Sequence, residues 1–141
     1  MDRTEMAALL GSVPLFANAE AADLDLIAGR MKEVHFQAGR AIATQGDSGV
    51  GFHLVVAGEA EVTGDGVPTH TIGPGGYFGE IGLIDGGTRS ATVTALTELT
   101  TLALVTWDFQ PLLDNPAFSK ALLLGLCTLV RQYRAAASAT N

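Results

Sequence analysis

At 141 residues, with 48% hydrophobic and only 16% charged residues, the chain has room for one domain with a real core and is too apolar to be disordered. A formal net charge of −7 without any cluster of Lys and Arg excludes a broad phosphate-neutralising face, so nucleic acid is not an expected partner. One cysteine excludes an internal disulfide, and 17 glycines point to many turns rather than to helices throughout.

Residues 1–16 carry charges on both sides of a short apolar run and lack a small-residue cleavage site. The start therefore does not read as a secretory signal, and a cytoplasmic protein is expected. Residues 4–10 suit a short helix ended by Gly11 and the Ser12-Val13-Pro14 break. A second helix is marked by Asn18 as its cap, by Glu20, Asp23 and Asp25 in the early turns, and by Leu24, Ile27 and Ala28 before Gly29.

From Val34 the pattern changes to short apolar stretches at residues 34–36, 40–43, 52–57, 60–63 and 69–72. Gly39, Gly46-Asp47, Gly58, Gly64-Asp65-Gly66 and Gly73-Pro74-Gly75-Gly76 supply turns between them. Two more strands are expected at 91–97 and 100–106, rich in Thr, Val and Leu. Strands so evenly spaced suggest a barrel or a jelly roll.

Within this region residues 79–91 read GEIGLIDGGTRSA. Gly75, Gly76 and Gly79 leave the backbone free to approach a ligand, and residues 80–84 suffice for one helical turn whose first amides lack internal partners. Arg89 offers a planar fork of donors that suits a phosphate oxygen pair. Glu80, as a carboxylate, only accepts and suits a hydroxyl pair such as a ribose edge. The residues alone leave a plainer reading open, in which Glu80 answers the helix dipole and Arg89 is a solvated charge.

Residues 107–113 suit a short helix broken at Asn115-Pro116, after which Pro116 opens a last helix at residues 117–134. Leu122, Leu126, Leu129 and Tyr133 form one stripe of that helix, while Leu123, Leu124, Cys127 and Val130 cover other faces. Such a helix packs either wholly within its own chain or also against a second copy. Its apolar run is about half of what a bilayer requires, so no membrane partner is expected. Residues 135–141 read as a frayed tail.

The strings Phe78-Gly79-Glu80-Ile81-Gly82-Leu83 and Thr88-Arg89-Ser90-Ala91-Thr92-Val93 resemble the phosphate-binding cassette of the cyclic nucleotide-binding domain family. That family includes the sensor part of bacterial catabolite activators. Pro14-Leu15-Phe16, and the run 52–58 leading through Gly58 into Glu59-Ala60-Glu61-Val62, are also similar to family segments. The resemblance covers about residues 14–134.

It implies a mainly β fold with flanking helices: a double-stranded β-helix (jelly-roll) barrel over 31–106, N-terminal helices at 4–30 and a C-terminal helix pair at 107–134, all in one domain. It implies a ligand, cAMP first and cGMP as the alternative, and no cofactor or catalysis. Binding contacts then fall on Phe78, Gly79, Glu80, Ile81, Gly82, Arg89, Ser90 and Ala91. Glu80 takes the ribose 2′-hydroxyl, and Arg89 the cyclic phosphate. Ser90 reaches a phosphate oxygen or the purine edge, or is a plain strand-start serine. Many members carry Pro before the Arg, where Thr88 stands here. The last helix supplies a lid for the base, placed at Tyr133 and Arg134, and closes over it when ligand arrives. A homodimer through that helix and a separate effector protein are the expected partners.

Two other readings remain at this point. One is a jelly-roll dimerisation or scaffold module that has lost its ligand. The other is a metal-dependent, cupin-like enzyme, against which His35, His53 and His70 lack His-x-His or His-x-x-x-His spacing. Nucleophilic chemistry is no better supported: there is no Gly-x-Ser-x-Gly, and Cys127 sits in an apolar run.

Overall fold

The computed structural model describes residues 1–46, 51–89 and 91–139. The expected turn residue Asp47, the site residue Ser90 and the last two residues of the expected tail lie outside the described residues. In chain order the elements are α1 (Arg3–Gly11), a 3-10 turn (Pro14–Phe16), α2 (Ala21–Ala28), β1 (Lys32–Phe36), β2 (Ala41–Ala43), β3 (Gly51–Ala57), β4 (Ala60–Gly64), β5 (Val67–Ile72), β6 (Tyr77–Phe78), α3 (Glu80–Asp85), β7 (Thr92–Ala95), β8 (Leu99–Val105), α4 (Thr106–Phe109), a second 3-10 turn (Gln110–Asp114) and α5 (Pro116–Ala139). They pack as two compact units, a β unit spanning Met31–Gln110 and a helical unit made of Met1–Arg30 with Pro111–Asn141.

In the β unit the strands form two four-stranded antiparallel sheets, ordered β1-β8-β3-β6 and β2-β7-β4-β5. The mainly β class with flanking helices stands, and of the expected jelly-roll barrel the two sheets are seen, with no ladder joining them among the described residues. The chain passes from β5 in one sheet to β6 in the other through Gly73-Pro74-Gly75-Gly76, where Pro74 has no N–H to extend a ladder. β6 is two residues long and was not foreseen from the sequence. The core lies between the inner faces: Ala43, Ala60, Val62, Val93 and Ala95 from one sheet meet Val55, Phe78 and Leu99 from the other. Burying each large apolar side chain of this layer contributes about 1.5–3 kcal/mol.

In the helical unit Asp2 caps α1, its Oδ1 accepting from the Glu5 N–H at 2.8 Å. Arg3 ties α1 to α2, its Nε lying 3.0 Å from Asp25 Oδ1 and donating to the Asp25 carbonyl at 3.0 Å. The expected cap Asn18 is corrected, because α2 starts later with Glu20 at its N-cap. The 3-10 turn is the reason: Ala17 and Ala19 donate their N–H groups back to Pro14 and Phe16, which places Asn18 in the turn that follows it, before α2 begins.

The helix expected at 107–113 is α4 followed by a 3-10 turn, since Pro111 cannot donate to a continued α-helical ladder. α5 starts as expected at Pro116, with Asn115 Oδ1 accepting from the N–H groups of Ala117 (3.0 Å) and Phe118 (3.3 Å). It runs on to Ala139, past the expected end at Arg134, because alanine is the strongest helix former and nothing in Ala135-Ala136-Ala137 breaks the ladder. Midway along it, a Cβ on Gly125 would strike the Leu15 backbone, so α5 lies directly against the first 3-10 turn. Among the described residues no helix is long and apolar enough to cross a membrane.

Candidate functional site

The cassette sits in the β unit at the exit from β6. Gly79 takes φ 86° and ψ 10° and forms the N-cap of α3. A Cβ there would meet both the Arg89 guanidinium and the Gly51 carbonyl, so glycine is required for the backbone angle and for the close approach alike. The six-residue helix that follows is held along its length. Leu83 is fully buried, Gly86 closes the helix in the left-handed region, and Gln110 Nε2 donates to the carbonyls of Leu83 (3.1 Å) and Ile84 (3.2 Å). Asp85 Oδ1 accepts from the Gly87 N–H at 2.7 Å and turns the chain back toward Arg89.

Arg89 is fixed at both ends. Its backbone carbonyl accepts from the Gly46 N–H at 3.0 Å, and its guanidinium donates through Nη2 to the carbonyl of Gly51, the first residue of β3. One bond thus uses part of a fork that carries five N–H donors in all. Half burial of the guanidinium lowers its pKa, and the field of Glu80 partly restores it. Burial likewise pushes the Glu80 carboxyl above its ordinary value, against a bond to its own backbone amide and the attraction of Arg89. The two side chains feel each other's charge without forming an ion pair. An acceptor and a cation, both half-buried and held apart at the start of a short helix, can bind a ligand that has a hydroxyl on one side and a phosphate on the other.

Of the residues singled out from the sequence, Phe78, Gly79, Glu80, Ile81, Gly82, Arg89 and Ala91 belong to the β unit. Phe78 and Ala91 line its core layer, whereas Ile81 is exposed. Tyr133 and Arg134 belong to the helical unit, where both are exposed, Tyr133 to 74%. Sequence reasoning missed Gly51 and His53. The ring of His53 stacks on Phe78 (centroids 4.9 Å apart, planes at 14°), meets Phe36 edge-on at 5.9 Å, and shares a 2.9 Å hydrogen bond between Nδ1 and Oγ1 of Thr101. Thr101 is fully buried. Burial first, and the Arg89 charge second, lower the His53 pKa to about 4, so the ring is neutral. Its signal in the sequence was a single titratable side chain inside the apolar run 52–57.

Among the described residues no group of three His, Cys, Asp or Glu side chains is placed to hold a metal ion.

Residues 33–115 match the family model described as "Cyclic nucleotide-binding domain". The chain is 41% identical over 112 residues to a cAMP-dependent protein kinase regulatory subunit of Schizosaccharomyces pombe, covering 76% of this chain and 26% of that protein. It is 38% identical over 104 residues to a cyclic nucleotide-gated potassium channel of Rhizobium etli, covering 72% and 28%. Among solved structures it is similar to the N-terminal domain of a transcriptional regulator from Streptomyces coelicolor A3(2), with a TM-score of 0.75, 33% identity, and coverage of 89% of this chain and 94% of that one. The chain spans about a quarter of the length of the curated relatives it matches.

Proposed function

The chain belongs to the cyclic nucleotide-binding domain family, and from that premise we propose that it binds cAMP, with Arg89 on the cyclic phosphate and Glu80 on the ribose 2′-hydroxyl. The observation that carries this reading is the Arg89 guanidinium seated on the Gly51 carbonyl against Gly79, where no other side chain fits. An anion arriving there finds a charge already oriented by the backbone and half out of water, so little side-chain entropy is lost on binding. Phe78, Ile81, Gly82 and Ala91 surround that clamp in the sequence and are assigned to the ligand with it. Ser90 is assigned on the resemblance alone. cGMP is the second candidate, since nothing in the clamp reads the base.

The base is assigned to α5, with Tyr133 stacking on the purine and Arg134 beside it, and closure of that helix as the outgoing signal. Exposed Leu123, Cys127 and Val130 recur at helical spacing on α5, which supports a homodimer through this helix. Relatives named as kinase regulatory subunits and as channels support an effector lying outside this segment.

Titration calorimetry with cAMP and cGMP tests the reading. Saturable heat with cAMP is expected, and Arg89→Ala is expected to weaken it about tenfold to a hundredfold, because a charge-assisted pair is worth about 1.5–3 kcal/mol. No heat and no thermal stabilisation with either nucleotide would return the domain to the scaffold reading.

A further inference from the structure

α3 is six residues long, and a helix that short is marginal unless tertiary contacts hold it. Leu83, fully buried, fixes its middle. A single buried side chain is a pivot, and a second fixed point is needed to stop the helix turning about it.

At the exit of α3 its own backbone stops supplying partners. Gly86 donates its N–H to the Gly82 carbonyl at 2.9 Å, but the next amide, that of Gly87, turns aside to Asp85 Oδ1. The Leu83 and Ile84 carbonyls are met instead by Gln110, whose Nε2 lies 3.1 and 3.2 Å from them. A primary amide carries two N–H donors on one nitrogen, one for each carbonyl, and the flipped amide would set Oε1 against both. Gln110 reaches α3 from a rooted backbone. Its own N–H donates to the Thr106 carbonyl, Phe109 before it is fully buried, and Pro111 after it has a fixed φ.

The two charges of the clamp depend on this contact unequally. Glu80 stands on α3 itself, whereas Arg89 lies beyond the helix and is anchored separately, by the Gly46 amide and the Gly51 carbonyl. We propose that Gln110 is a positioning residue of the ligand site: by pinning the carbonyl end of α3 it holds Glu80 toward the ribose, and so sets how strongly the site selects for a 2′-hydroxyl. Phosphate recognition by Arg89 is independent of it. This deepens the nucleotide reading of the clamp and rests on it.

The experiment is titration calorimetry with cAMP and with 2′-deoxy-cAMP, which lacks the hydroxyl, on wild type, Gln110→Ala, Gln110→Glu and Gln110→Lys. Gln110 is exposed, so the substitutions leave the core intact, and ligand-free melting temperatures check this. Wild type is expected to prefer cAMP. Gln110→Ala is expected to weaken cAMP about threefold to tenfold, the worth of one neutral hydrogen bond, and to leave 2′-deoxy-cAMP nearly unchanged. Gln110→Glu keeps the shape but brings acceptors and negative charge to the negative end of the helix, and is expected to lose at least as much. Gln110→Lys returns donors to that end and is expected to recover most of the preference. Equal weakening of both ligands in Gln110→Ala means a general loosening of the unit and overturns the proposal, as does a preference that does not change. A wild type that binds the two ligands equally removes Glu80 from the ribose and overturns it too, while leaving Arg89 on the phosphate. No heat with either ligand overturns the nucleotide reading, and the proposal falls with it. Should Gln110→Ala fail to fold, the Glu and Lys variants decide by the same ratio of affinities.

Discussion

Arg89 and Gly79 are interdependent, since the guanidinium occupies the space that a Cβ would need. His53, held by Phe78, Phe36 and Thr101, makes the fold itself sensitive to pH. In the folded chain its pKa lies at about 4, against 6.5 for the free side chain, so between these values the unfolded chain binds more protons. Stability is therefore greatest above about pH 6.5 and is lost as pH falls toward 4, by up to about 3 kcal/mol for this group alone. Glu80 acts in the opposite sense. Its raised value favours the folded chain below the ordinary 4.5 and that advantage disappears as pH rises through the folded value. Urea unfolding of the ligand-free protein at pH 5 and pH 7 measures the balance: wild type is expected to lose stability at pH 5, and His53→Phe to lose clearly less. Equal losses in the two proteins would mean that His53 is protonated in the fold.

At the scale of elements, α5 and the first 3-10 turn approach so closely that Gly125 has backbone atoms of Leu15 where its Cβ would be. Gly125→Ala brings a helix-propensity gain of about 1 kcal/mol, but the obstacle is main chain and cannot swing aside. Overpacking of this kind costs about 1–3 kcal/mol, so the variant is expected to melt several degrees lower, and a rise in melting temperature by calorimetry would contradict the packing. Much of the element order was legible, because glycine and proline punctuate it and the helical and strand periods differ. Arg89 and Glu80 were legible as chemistry, each being a charge set among glycines. The partition into two open sheets was not, since local pattern does not say which strand pairs with which. Gly51 and His53 were missed for the same reason. Their roles come from partners 38 and 48 residues away, Arg89 and Thr101, brought close only by the β3–β8 register and the fold of the cassette. The end of α5 was misplaced because a run of small residues looks like a tail, although alanine favours a helix wherever one has already begun.

For the whole molecule, an exposed apolar stripe on a 24-residue helix bears on assembly. α5 uses one face inside its own unit, where Phe118, Leu122 and Leu129 are buried and Gly125 meets Leu15. Leu123 and Val130 are more than half exposed, and Cys127 lies between them on the same side. Solvated helix faces are ordinarily polar, and this one is not. A second copy packed along the stripe in a two-fold arrangement would cover it on both chains at once. The proposed dimer has a mass of twice 14.6 kDa, which light scattering separates readily from the monomer. Leu123→Glu combined with Val130→Glu places like charges across such an axis, and is expected to yield a monomer whose clamp in the β unit still binds cAMP. A wild-type monomer at high concentration, with and without cAMP, would remove the dimer and leave the apolar stripe for the effector. If the double variant is monomeric but binds cAMP more weakly, assembly and ligand binding are coupled through α5. Reciprocity then requires cAMP to tighten the dimer by the same factor, which dilution series with and without ligand would measure.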